Sequence, residues 1–415
     1  MKLLHADHVL LGDAAPIADG AVVVDEGGAV VDVGKASDLL PSHAGVAVER
    51  VRGVVFPGLV NAHTHLELSA MRGKVPGGRG FVPWVEGLIT QRPEVAPEDD
   101  SEAIALAVDE LVKTATVAVG EITNSLAAVR PLVRRGIGGC VFHEVFGIER
   151  TSVLARVEGL RAELEARIGA WPSTDLTYAP APHTLYTTHA DAVTALLAGA
   201  TKYAARTSLH LAEHAGERRA IEHGDGPVPE WLLSRVRQSL DAPKLPLLDY
   251  AERLGALSPN VLLVHLTEAR PDELARVAKA GAPVVLCPRS NLFIAAKLPP
   301  LLAVLEAGIE PALGTDSLAS NTSLDVLAEA KALRDRFPSV APWRLVAMAT
   351  WNGARALGRS DLGRIAKGTR PGIFAVEGDL TTTTDPALFL LTSSKSPRRM
   401  VAPRRPTLAP RESST

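Results

Sequence analysis

The run VVFPGLVNAHTH ends in two histidines one residue apart, His63 and His65. On a β-strand, side chains two apart share a face, so both imidazoles would point the same way. Paired imidazoles can ligate a cation, although His-x-His alone is a common motif. Three further apolar runs end in a similar manner. SLHLAE carries His210 with Glu213 three residues on, LLVH ends at His265, and ALGTD ends at Asp316. Any one of these reads as a buried structural residue. Four strand ends that each offer a nitrogen or a carboxylate are hard to explain by packing. Burying a neutral polar group unpaired costs roughly 2–7 kcal/mol, and a shared metal relieves that cost.

The candidate ligands are therefore His63, His65, His210 and Asp316. Nitrogen with one carboxylate suits Zn2+, with Fe2+ and Mn2+ as alternatives. Such a metal lowers the pKa of its water to about 7 and so supplies hydroxide near neutral pH. Glu213 is placed to carry a proton to the substrate heteroatom and then to the leaving group. Its other reading is a solvated Glu, because the charged stretch EHAGERR starts there. His265 is expected to polarise the water or stabilise developing charge. Asp316 would ligate and also take the water's proton.

These groups need a scaffold that gathers strand ends. Strand candidates fall at 54–60, 116–123, 139–146, 176–180, 207–213, 260–266, 282–288 and 310–316, with Ala-, Leu-, Glu- and Arg-rich stretches of helical periodicity between them. Alternation of this kind predicts an α/β fold, a (β/α)8 TIM-type barrel whose active site lies at the C-terminal strand ends. A doubly wound sheet is the structural alternative, but no glycine-rich phosphate loop follows the first strand. Strand four reads LTYAPAPH and has no lysine to bridge two metals, so one divalent metal is expected. Before residue 54 the pattern is strand, turn, strand, with DEGG as a tight hairpin. After about residue 360, DLGRIAKGTRPGIFAVEGDL returns to short β-structure. The expected organisation is a small composite β domain from residues 1–53 plus about 362–392, a catalytic barrel over 54–361, and an unstructured tail over 393–415 rich in Pro, Ser and Arg.

The 415 residues carry a formal net charge of −3, which gives no general pull toward nucleic acid or anionic membrane. With 46% hydrophobic and 22% charged residues, the balance is that of a soluble enzyme. No run reaches transmembrane length, and Asp and His interrupt the apolar part of MKLLHADHVLLGD, so a cytoplasmic enzyme is expected. Cys140 and Cys287 sit in apolar runs and read as small buried hydrophobes.

Six stretches together resemble the amidohydrolase superfamily, in its branch of metal-dependent purine, pyrimidine and triazine deaminases. They are PGLVNAHTHLE, YAPAPHTLY, SLHLAEHAGE, VHLTE, CPRSN and LGTDSLASN, in family order over about residues 50–360. The resemblance implies the barrel, the composite β domain, the four metal ligands and the Glu213–His265 acid–base pair. It matches His183 to a position that contacts the ribose or the metal region, with a loop or cap histidine as the other reading. Glu67 after HTHL, the GFVPW stretch ending in Trp84, and CPRSN with GTDSLASN are similar to the aminodeoxyfutalosine deaminase subgroup, which acts in menaquinone biosynthesis. On that resemblance Glu67 binds ribose hydroxyls or caps the next turn. Trp84 stacks on a purine or closes a loop, and Arg289 meets a substrate carboxylate or a salt-bridge partner at the rim.

The implied function is hydrolytic deamination of a small-molecule purine nucleoside, 6-amino-6-deoxyfutalosine first, with a homodimer as the expected assembly. S-adenosylhomocysteine, methylthioadenosine or adenosine are alternative substrates. Hydrolysis of another cyclic amidine, amide or triazine is the alternative reaction. The His-x-Glu and Pro-Cys-x-x-Cys arrangement of the zinc deaminases that act on nucleic acid is absent.

Overall fold

The structure is a computed structural model that describes residues 1–202, 206–380, 385–393 and 397–404. Among these the chain forms β1 (Lys2–Val9), β2 (Ile17–Val24), β3 (Val30–Lys35), β4 (Val48–Pro57), β5 (Leu59–His65), β6 (Thr116–Thr123), β7 (Gly138–Val145) and β8 (Leu176–Pro182). These are followed by β9 (Thr207–Leu211), β10 (Val261–His265), β11 (Val284–Leu286), β12 (Ala312–Leu313), β13 (Asp316–Ser317), β14 (Ile373–Glu377) and β15 (Arg399–Ala402).

One six-stranded sheet has the order β15-β14-β4-β1-β2-β3, so strands from the two ends of the chain share it. The expected hairpin joins β2 to β3, where the Asp25 carboxylate accepts from the Gly27 and Ala29 amides at 2.8 and 2.9 Å. Two details differ from the sequence reading. The run 54–60 is not one strand. Val54 to Pro57 close β4 in the six-stranded sheet, and β5 begins at Leu59. Pro57 has no N–H to continue a ladder. Gly58 then passes so close to Val117 that a Cβ would lie 2.4 Å from its Cγ1, so the chain changes sheets at a residue without a side chain. The stretch 393–415 is not uniformly unstructured either. Arg399–Ala402 pairs antiparallel with β14, Val401 and Ala402 are buried, and Arg404 forms an ion pair with buried Asp175. Residues 405–415 of that expected tail lie outside the described residues.

The remaining strands form two parallel sheets, β13-β5-β6-β7-β8 and β12-β11-β10-β9, with helices between successive strands. Parallel strands covered by helices are apolar throughout, and nearly every residue of β5 to β11 is buried. Between the sheets, the His210 amide donates to the His183 carbonyl at 3.1 Å and the Thr207 hydroxyl to Pro180 at 2.7 Å. The expected eighth strand is split into β12, in one sheet, and β13, in the other. Gly314 joins them, and a Cβ there would meet His63 Cβ at 2.6 Å. Cys140 and Cys287 are buried and free, and burial pushes the Cys140 thiol up to about 12. Among the described residues no helix is long and apolar enough to cross a membrane.

Candidate active site

The C-terminal ends of the parallel strands bring His63 and His65 (β5), His210 (β9), His265 (β10) and Asp316 (β13) together. His65 Nε2 lies 3.2 Å from His63 Nε2, and Asp316 Oδ1 lies 3.5 Å from the former and 4.0 Å from the latter. The His63 and His210 rings are 4.9 Å apart, centre to centre. Burial lowers all four imidazoles, His65 and His265 to about 3 against the opposing pull of Asp316, and His63 well below its ordinary value with the help of the neighbouring imidazoles; His210 is lowered as well. Near neutral pH their lone pairs are free of protons. Burial alone would raise the Asp316 carboxyl, but His65, His265 and a 2.6 Å bond from the Ser290 hydroxyl outweigh it and hold it below its usual value.

Local backbone geometry aims these groups. His265, Leu266 and Asp316 have left-handed φ of 78°, 49° and 57°, uncommon for non-glycine residues and typical of functional sites. His210 Nδ1 is 2.9 Å from the His183 carbonyl. A carbonyl only accepts, so Nδ1 carries the proton and Nε2 keeps the lone pair. The donors fit a metal. Ligands about 2.0–2.1 Å from a tetrahedral ion sit about 3.3 Å apart, close to the spacing of the two Nε2 atoms.

Glu213 follows β9, and its Oε1 is 3.6 Å from His265 Nε2. It is 9% exposed, which excludes the solvated alternative. Burial, then the Asp316 and Glu217 carboxylates, raise its carboxyl well above the usual range. The Asn291 amide, 3.3 Å from His265 Nδ1, can donate to it and leave the proton on Nε2, toward Glu213.

The cluster forms the floor of a cavity of about 260 Å³. His183, Trp84 and Glu67 line it, and Arg289 does not. The His183 Nδ1 is engaged by the Thr187 hydroxyl at 2.7 Å. Trp84 donates to the Ala319 carbonyl at 3.2 Å and packs against Phe81. Glu67 caps a turn, though the one after β6 rather than its own. Its carboxylate accepts from the Thr123 hydroxyl, the Asn124 and Ser125 amides at 3.0 and 2.9 Å, and the Ser125 hydroxyl at 2.6 Å. Arg289 instead braces the 321–323 loop. It bonds Ser323 at 3.0 Å and Thr322 at 2.5 Å, with Glu329 at 3.6 Å. Arg289 thus stands outside the cavity lining, with its guanidinium turned toward Glu329.

Sequence reasoning missed Glu144, Asn124, Phe81, Phe146, Tyr186 and Trp231, which also line the cavity. Glu144 had a usable signal, since it stands one residue before the end of the buried strand β7, near the mouth where the other polar groups gather. Phe81 and Tyr186 lie inside GFVPW and YAPAPHTLY, two stretches already singled out, whereas Phe146 and Trp231 had no signal of their own.

The amidohydrolase family profile matches residues 54–402. The chain belongs to the amidohydrolase family. It is a hydrolase of C–N bonds, and the family is metal-dependent. An aminodeoxyfutalosine deaminase from Deinococcus radiodurans is 30% identical over 368 residues, 86% of each chain. A 5-methylthioadenosine/S-adenosylhomocysteine deaminase from Nitratidesulfovibrio vulgaris is 29% identical over 374 residues, 87% of this chain and 79% of that one. The crystal structure of Helicobacter pylori aminofutalosine deaminase with methylthio-coformycin superposes with a TM-score of 0.88 at 23% identity, covering 98% of this chain and all of that one. A zinc-bound adenosine deaminase from Xanthomonas campestris gives 0.72 at 24% identity, covering 92% and 85%. At these identities the solved structures establish the shared fold.

Proposed function

We propose that this amidohydrolase is a metal-dependent hydrolytic deaminase of an aminopurine nucleoside. The leading substrate is 6-amino-6-deoxyfutalosine, converted with water to futalosine and ammonia in menaquinone biosynthesis. In this reading the two parallel sheets act as one (β/α)8 barrel and the metal is Zn2+. The observation that carries the chemistry is the placement of Glu213, a buried carboxyl 3.6 Å from His265 at the floor of a cavity walled by aromatic groups, with burial and its acidic neighbours pushing it above the usual carboxyl range. The relatives support the substrate class.

His63, His65, His210 and Asp316 would hold the cation. Bound there, it supplies Lewis acidity that brings the loss of water's proton down to about pH 7. Asp316, ionised, accepts that proton. Glu213 donates its own proton to the ring nitrogen beside the amino-bearing carbon, takes the remaining proton of the added hydroxyl and delivers it to the departing ammonia, and Asp316 then returns the water's first proton to Glu213. His265, with its Nε2 toward Glu213, steadies the charge that develops between them. Trp84 and Phe81 offer faces for the purine.

Deamination of methylthioadenosine or S-adenosylhomocysteine is the second reading, supported by relatives of nearly equal identity. The test is ammonia release by metal-loaded protein from 6-amino-6-deoxyfutalosine, methylthioadenosine, S-adenosylhomocysteine and adenosine. Turnover of the first by the widest margin is expected. Silence on all four removes the reading.

A further inference from the structure

Four carboxyl groups line the cavity: Glu67, Glu144, Glu213 and Asp316. Glu67 is spent on the turn after β6, Asp316 accepts from Ser290 and Ser317, and Glu213 is the proposed proton carrier. Glu144, near the end of β7, is left over. It is 5% exposed, its Oε1 has no hydrogen-bond partner, and its Oε2 meets only the Asn124 amide at 3.4 Å. Among the described residues no lysine or arginine forms an ion pair with it. A buried acid left so poorly satisfied implies a partner that arrives with the ligand.

Two other uses fail on geometry. Glu144, His183 and His210 lie within metal-ligand reach of one another, which suggests a second cation. His210 Nδ1, however, gives its proton to the His183 carbonyl, and His183 Nδ1 is engaged by Thr187. Orienting His210 is the other use, but Glu144 Oε1 is 3.7 Å from that Nδ1, too far for a hydrogen bond.

We propose that Glu144 grips the sugar of the substrate by accepting a hydrogen bond from a ribose hydroxyl. The proposal rests on the nucleoside-deaminase reading and names one of its subsites. The last torsion of a glutamate is broad, so either oxygen can turn to the ligand. The Asn124 side chain donates to the Glu144 carbonyl at 2.9 Å and holds this wall in place. Glu67, which accepts from the Asn124 backbone N–H, acts through that residue as a positioning residue.

The test compares metal-loaded wild type, Glu144→Ala and Glu144→Gln on the best nucleoside and on its 2′-deoxy and 3′-deoxy forms. Wild type should prefer the full ribose over at least one deoxy form by about 10–100-fold in kcat/KM. Glu144→Ala should raise KM by a similar factor with kcat little changed, and its preference should vanish. Glu144→Gln keeps an acceptor, so it should fold and bind metal normally and lose only part of the preference. Preference undiminished in both variants overturns the proposal. So does a defect confined to S-adenosylhomocysteine, which would mark an ammonium site. A wild type inactive on every nucleoside overturns the underlying reading instead, and the subsite with it.

Discussion

At the floor of the cavity, His65, His210, His265 and Asp316 stand at the ends of parallel strands with His63 packed beside them, and all but His65 are buried. At the rim, Phe81, Trp84, Leu88 and Ile89 come from one helix, Phe81–Gln91, and Trp231 ends the short helix Pro227–Trp231. Phe146 follows β7, and it and Ile89 are 49% and 42% exposed. Strand pitch sets the floor to within the tolerance a metal requires. Loops and helix packing set the rim, which can change without disturbing the strands. In the proposed function the floor carries the reaction and the rim carries the choice of substrate.

Substitutions at the floor should break this division most sharply. Glu213→Gln should lower kcat by about 10²–10⁴-fold while bound metal and KM stay near wild type. Near-normal turnover would remove Glu213 as the proton carrier. His63→Ala should deplete bound metal, and full occupancy by elemental analysis would refute its place among the ligands. One layer out, the Ser290 hydroxyl holds Asp316 at 2.6 Å. Ser290→Ala should weaken metal binding by about 10–100-fold, read by competition with a chelator, and unchanged affinity would contradict that role.

Rim substitutions should behave differently. Trp84→Ala should raise KM by about 10-fold or more with metal content unchanged. A fall in kcat with KM intact would mean the rim takes part in the chemistry. The smallest effect on catalysis is expected in the six-stranded sheet. Phe374 packs on Phe56 there with ring centres 6.1 Å apart. Phe374→Leu should cost about 1 kcal/mol of stability, seen as a lower Tm, and leave kcat/KM alone. A catalytic defect in that variant would show that the sheet and the site are coupled.

The floor was legible because two simple regularities specify it. Period-two alternation puts His63 and His65 on one face, and polar groups ending apolar runs mark the strand mouths. The same rule reaches Glu144 when it is applied to β7. Other features were not legible because they depend on contacts distant in sequence. Arg289 turns away from the cavity because Glu329, Thr322 and Ser323 hold it. Glu67 is drawn to a turn 56 to 58 residues further along the chain. The strand at Arg399–Ala402 lay hidden in a stretch whose composition resembles a tail, and its burial comes from β14. The break at Pro57–Gly58 was visible as residue types, but its meaning needed Val117 nearby.

Bound transition metal, measured by elemental analysis together with ammonia release during stepwise chelation, tests the central claim most directly. One ion per chain is expected, with activity that falls in step with its removal and recovers on adding Zn2+. Protein stripped of every transition metal yet deaminating at its full rate would contradict it.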